Sequence, residues 1–156
     1  MRITDILPKE SIYVDALGTV VHGKFDALRV LSELLAPALG CEGHMIEELL
    51  AERERLQSTG IGDGVAIPHT SLEAAGRRAA ALVVSPQGIP FDAIDGGKVH
   101  IVLGVIGPKD ATGEHLRVLA RISRMLRDER TRLALSHAQT AGEAFGVIEA
   151  REQQLG

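Results

Sequence analysis

Apolar residues recur at spacings of three and four from Phe25 onward: Phe25, Leu28, Leu31, Leu34, Leu35, Ala38 and Leu39. That period predicts an amphipathic helix, with Pro37 placed to break or restart it. Met45, Ile46, Leu49, Leu50 and Leu56 predict a second helix from about His44 to Gln57. The pattern then changes. Residues 79–84 (AAALVV) and 99–106 (VHIVLGVI) are compact apolar runs without polar alternation, which suits strands covered on both faces. Shorter strands are expected at 11–16 and 65–67, and helices at about 113–127, 129–137 and 141–150. Helices before, between and after such strands predict an α/β fold: a three-layer α/β/α sandwich around a mixed β-sheet. No repeat, linker or low-complexity tract interrupts the 156 residues, so a single domain over 1–156 is expected.

The segment STGIGDGVAIPHTS, residues 58–71, carries the first chemistry. Gly60, Gly62 and Gly64 alternate with other residues and lead into the strand Val65–Ile67. Pro68 forces Ile67 into an extended conformation and cannot donate to a ladder, so it marks a strand end or edge with His69 upon it. A histidine with an ordinary pKa of ~6.5 is mostly neutral at pH 7 and offers a free ring nitrogen. A hydrogen-bonded surface histidine fits that position equally well. Arg53 lies four residues after Leu49, three after Leu50 and three before Leu56, which puts it on the apolar face. A charge there is costly unless paired, so Arg53 needs a carboxylate or a visiting phosphate. Arg55 shares a face with Glu48 and Glu52, as a solvated ion-pair partner. With Thr112 as N-cap, His115 is the N3 residue and shares a face with Val118, Leu119, Ile122 and Leu126. It therefore looks inward, at a helix end that attracts anions and favours neutral imidazole; a satisfied core histidine would look the same. Ser58 and Thr59 add hydroxyls at the loop entrance, where they also serve to end the helix. Together these groups describe a small phosphate-accepting site.

Composition narrows the alternatives. Aromatics make up only 3% of the chain and Trp is absent, so a stacking platform for single-stranded nucleic acid is disfavoured. A net charge of −4 disfavours non-specific binding to nucleic acid or anionic membrane. One cysteine, Cys41, cannot form an internal disulfide and fits a reducing compartment. The charged start MRITDILPKE has no apolar signal region, and no apolar run approaches the ~18 residues of a membrane span. A cytoplasmic protein without membrane insertion is expected. The glycines lack the context of a Rossmann fingerprint, no GK[ST] follows them, and neither HExxH nor GxSxG occurs. No metal site is expected. Arg117, Arg121 and Arg124 form a stripe opposite the apolar face of their helix, either solvated or docking an acidic partner. His22, His44, His100 and His137 have no motif around them.

ERERLQSTGIGDGVAIPH, residues 52–69, closely resembles the active-site signature of the mannitol/fructose/nitrogen type of enzyme IIA in the bacterial phosphoenolpyruvate-dependent phosphotransferase system. Residues 90–108 (PFDAIDGGKVHIVLGVIGP) and 111–126 (ATGEHLRVLARISRML) look like the same family, and the start MRITDILPKESI is similar to its nitrogen-regulatory branch. The resemblance implies a mannitol-type enzyme IIA fold and no cofactor. It implies that His69 is the phosphorylated histidine, that Arg53 helps bind the phosphoryl group, and that His115 is the second active-site histidine. The donor it implies is a small histidine-phosphorylated carrier protein. The acceptor would be an enzyme IIB or a regulatory protein. Thr70 stands where the family commonly has glycine, and His100 where it commonly has an acidic residue. With no IIB- or IIC-like region in the sequence, a free-standing regulator is the expectation. The expected reaction is histidine-to-histidine transfer, with Arg53, His115 and the backbone N–H groups of the glycine loop stabilising the phosphoryl oxygens. The alternative is a binding module whose grip on kinases, transporters or transcription factors follows its phosphorylation state.

Overall fold

The two apolar runs form neighbouring central strands, and the rest of the sheet is laid beside them. The computed structural model describes residues 1–155. Its strands are β1 (Ile12–Val14), β2 (Gly60–Gly62), β3 (Val65–Ala66), β4 (His69–Ser71), β5 (Ala79–Ile89) and β6 (Val99–Gly107). They make one sheet in the order β1-β5-β6-β3-β2, with β4 also paired to β6. β5 and β6 run antiparallel, while β1 lies parallel to β5, and β3 and β4 parallel to β6. The sheet is therefore mixed.

Side chains alternate between its faces. Ala79, Ala81, Val83, Val102 and Ile106 pack under α1 (Lys24–Leu39) and α2 (Gly43–Leu56). Ala80, Leu82, Val84, Ile101, Leu103 and Val105 face α3 (Thr112–Leu126), α4 (Glu129–Ser136) and α5 (Ala141–Leu155). These two cores make the three layers, and both strands read as uninterrupted apolar runs because each face is covered. No helix among the described residues is long and apolar enough to cross a membrane.

Several elements differ from the sequence pattern. α1 continues through Pro37 to Leu39 and ends on Gly40 at φ +67°. A proline in the last turn forfeits one hydrogen bond near an end that is closing anyway, so it does not break the helix. β5 runs five residues past Val84, across an irregularity in the ladder, and α5 extends five residues beyond 150. The glycine segment is a β2–β3 hairpin whose turn holds Asp63 at φ +57° and Gly64 at φ +77°. Arg121 is not merely solvated: its Nε donates to Glu152 at 2.9 Å. That carboxylate is 1% exposed and also accepts from the amides of Ile3 and Thr4, at 2.6 and 2.9 Å. It thus ties the start of the chain to α5.

Candidate active site

Strand parity decides where His69 points. β3 and β4 pair with β6 in one register, Val65 opposite Ile101 and His69 opposite Val105. They are one line interrupted at Pro68, which has no N–H to give. Pro68 still accepts, from the amide of Val105 at 2.9 Å. Val65 and Ile67 both belong to the core beneath α3, so His69, two residues on, takes the same face. It therefore does not mark the strand's end but reopens the strand after the proline.

Its Nδ1 lies 2.6 Å from the carbonyl oxygen of Ile67. A carbonyl only accepts, so Nδ1 carries the proton and Nε2 keeps the bare lone pair. The ring of His115 lies opposite, with centroids 5.8 Å apart and planes at 46°. α3 has Ala111 as its N-cap, without a side-chain cap bond. His115 is thus the fourth helical residue rather than the third, and its amide makes the first intrahelical bond, to Ala111 at 3.0 Å. Thr112 is the first residue of the helix, not its cap. Val118, Ile122 and Leu126 on the same face are buried, Leu119 is partly so, and His115 is half-buried as expected. Burial first, then the positive charge of Arg78, pushes its pKa below the ordinary histidine value. It is therefore neutral at pH 7.

The buried face of α2 is Ile46, Leu50, Ala51 and Glu54, while Leu56 is exposed. Arg53 is accordingly half-buried at the rim of the helix, and Nη1 donates to the carbonyl of Gln57 at 3.0 Å. No hydrogen bond or ring contact joins it to either histidine among the described residues. The amide of Ile67 donates to the Thr59 carbonyl at 3.1 Å, which brings the chain that leaves α2 beside the strand line leading to His69. α2 also packs against β4.

Ser58 and Thr59 have other duties than anion binding. Thr59 is 4% exposed, and both its amide and its hydroxyl donate to Glu54, at 2.8 and 3.0 Å. Ser58 donates to Phe91 at 3.0 Å and accepts from the amide of Gly60. Glu54, itself buried, is the charged group that sequence reasoning missed. The spacing Ile46–Leu50–Glu54 was its signal, since each step is about one turn. The glycine turn is also remote. Gly64 accepts from His100 and Ile101 at the start of β6, four rungs, or about 13 Å, from the rung of His69. Gly62 and Gly64 thus shape a hairpin and do not cradle a phosphate on His69. Gly60 is the nearest of the three, opposite Ala66.

The sequence matches the family model described as the phosphoenolpyruvate-dependent sugar phosphotransferase system, EIIA 2, over residues 5–151. The chain belongs to this family. It is similar to the nitrogen regulatory protein of Klebsiella oxytoca, 37% identical over 128 residues, covering 81% of this chain and 79% of that one. It shares its fold with the nitrogen regulatory protein IIA-Ntr of Neisseria meningitidis: TM-score 0.84 and 30% identity, over 94% of this chain and 98% of that one. The Escherichia coli mannitol enzyme IIA, solved in complex with phosphorylated mannitol enzyme IIB, matches at TM-score 0.73 and 22% identity, over 90% and 95% of the two chains. This EIIA domain is a phosphoryl-transfer component, and it has the mannitol-type α/β/α sandwich.

The cation close enough to lower the pKa of His115 in this EIIA domain is Arg78, not Arg53. The side chain of Arg78 is 1% exposed, and Nη1 donates to Glu114 at 2.6 Å. Sequence reasoning passed it over, although the alternation of β5, extended back from Ala80, assigns it to the α3 face. At the two departures from the family pattern, Thr70 is half-buried and paired with Ile106, and His100 Nδ1 lies 3.0 Å from the carbonyl of Ser85. His100 therefore serves backbone pairing, and no ion pair forms there among the described residues. His137 likewise lies 2.8 Å from the Leu133 carbonyl, while His22 and His44 sit beside surface carboxylates.

Proposed function

We propose that Nε2 of His69 accepts a phosphoryl group from a histidine-phosphorylated carrier protein and passes it to an enzyme IIB or a regulatory protein. The observation that carries this reading is the bond from His69 Nδ1–H to Ile67, which leaves Nε2 bare beside a neutral second histidine. The lone pair attacks phosphorus in line. The bond from phosphorus to the donor nitrogen breaks, and the donor ring leaves with the electron pair. The proton stays on Nδ1, hydrogen-bonded to the Ile67 carbonyl, so no proton has to move. Such transfers depend on positioning and charge stabilisation. His115 supplies a hydrogen bond to an equatorial oxygen, and Arg53 swings from Gln57 to neutralise charge once the group arrives. The cytoplasm is the compartment in which such a carrier would meet it.

The test is to mix the protein with phosphoenolpyruvate, enzyme I and the carrier. One acid-labile phosphoryl mass mapping to His69 is the expected result; stable labelling elsewhere, or none, would overturn the reading. Arg53→Ala is expected to slow labelling about a hundredfold while leaving the melting temperature nearly unchanged, since among the described residues its side chain bonds only Gln57. A wild-type labelling rate would remove Arg53 from the site.

Leu116, next to His115, is 61% exposed, and Leu56 at the end of α2 is also exposed. We assign the donor's docking contact to these exposed leucines. Leu116→Asp is expected to raise the carrier KM about tenfold and to leave turnover at saturating carrier unchanged. An unaltered KM would place docking elsewhere.

A regulatory use of the same phosphoryl group is favoured by the nitrogen regulatory relatives. On other side chains a phosphoryl group adds about −1.5 to −2 of charge, and a comparable change beside exposed leucines would reset which partner binds.

A further inference from the structure

Arg78 is buried more completely than any function given to it so far requires. Its guanidinium lies against Gly107, where an added Cβ would meet Nη2 at 2.7 Å. Nη1 holds Glu114, the residue before His115, and Nη2 donates to the carbonyl of Ala111 at 3.2 Å. The amide of His115 donates to that same carbonyl. One side chain thus clamps the first turn of α3 to the sheet at the residues that aim the His115 ring.

Two nitrogens in this corner are buried and without hydrogen-bond partners among the described residues: Nε of Arg78 and Nδ1 of His115. They suit each other in one tautomer only. Arginine Nε always carries a hydrogen and can only donate. A protonated Nδ1 would leave two buried N–H groups in this corner with no acceptor for either, whereas a bare Nδ1 places a lone pair in the field of the cation. The ring proton then belongs on Nε2, the nitrogen that is not buried. The downward push of the guanidinium on the His115 pKa has the same sense.

We propose that Arg78 is a positioning residue that fixes the tautomer of His115, holding Nδ1 bare and presenting Nε2–H to the phosphoryl group on His69. This rests on the His69 reading above. The two facing histidines then have opposite tautomers. A backbone acceptor behind His69 leaves it a lone pair with which to attack, and a donor-only cation behind His115 leaves it a hydrogen to give. Glu114 balances the buried charge and keeps the clamp in place.

The experiment is nitrogen-15 NMR of the imidazoles in the unphosphorylated full chain, paired with the rate of labelling by phosphorylated carrier. In the wild type, His115 is expected to show a bare Nδ1 and a protonated Nε2, and His69 the reverse. Arg78→Met should give His115 a mixture of tautomers, leave His69 unchanged and slow labelling at least tenfold. Should that variant fail to fold, Gly107→Ala serves, because its Cβ meets the end of a flexible side chain and displaces the guanidinium without removing its charge. A wild-type His115 protonated on Nδ1 overturns the proposal. So does an unchanged tautomer in a folded Arg78→Met or Gly107→Ala variant, or a changed tautomer with an unchanged rate. The tautomers are read without any donor, so absence of labelling in the wild type would fail the His69 reading while the role of Arg78 is still decided.

Discussion

Replacing His69 with alanine is expected to abolish labelling by phosphorylated carrier, a loss of at least ~10³-fold. No second nucleophile stands ready: the Nδ1 of His115 is buried, and a neutral His115 with its proton on Nε2 offers no lone pair toward the site. The fold should survive, because His69 is half-buried and its side chain contributes one neutral hydrogen bond, about 1 kcal/mol. His69→Gln separates the two roles. It can still donate to Ile67 but cannot attack, so labelling should vanish with even less change in stability. Circular dichroism and a thermal melt on the same samples complete the comparison. Full labelling of His69→Ala would sink the site.

The largest stability loss is expected at the other end of the α3 face. Glu152→Ala leaves the amides of Ile3 and Thr4 and the guanidinium of Arg121 without the carboxylate they share. Breaking a buried charged network of this kind costs about 3 kcal/mol, or roughly 6–12 °C in melting temperature for a chain of this size. The loss depends on pH. Burial alone would raise the Glu152 pKa, but the Thr4 and Ile3 amides and Arg121 together outweigh it and hold the carboxylate below the ordinary range. A depressed folded-state pKa contributes stability above the unfolded value, and that contribution is lost as pH falls through the folded value. The gap between wild type and Glu152→Ala should therefore be full at pH 7 and narrow progressively once the pH drops below about 4.5. Equal urea midpoints for the two proteins at pH 7 would contradict the assignment.

Much of this arrangement was legible because the two central strands are apolar on both faces, a pattern that a sheet between helix layers produces. The placement of His69 beside α3 was latent in the alternation of Val65, Ile67 and His69, yet it required knowing that the strand resumes after Pro68. Local propensity treats a proline as an end, whereas the ladder to β6 carries the register across it. The face of α2 was misread for a different reason. Its apolar residues wrap around more than half the helix, so several faces fit the period. Tertiary packing chose the one carrying Glu54, whose cost is met by Thr59 five residues downstream. The hydroxyls of Ser58 and Thr59 suggested anion binding because sequence shows donor chemistry but not its partners. Arg78 went unseen because an arginine doublet before an apolar run looks like a solvated strand entry.

His69 is held twice, by a paired strand beneath it and by Ile67 at its ring. A ring so pinned has no arc through which to carry cargo from one molecule to the next. On the proposed role, handover would wait on visitors: donor and recipient would each come to a stationary berth, one after the other, and their encounters would govern the traffic.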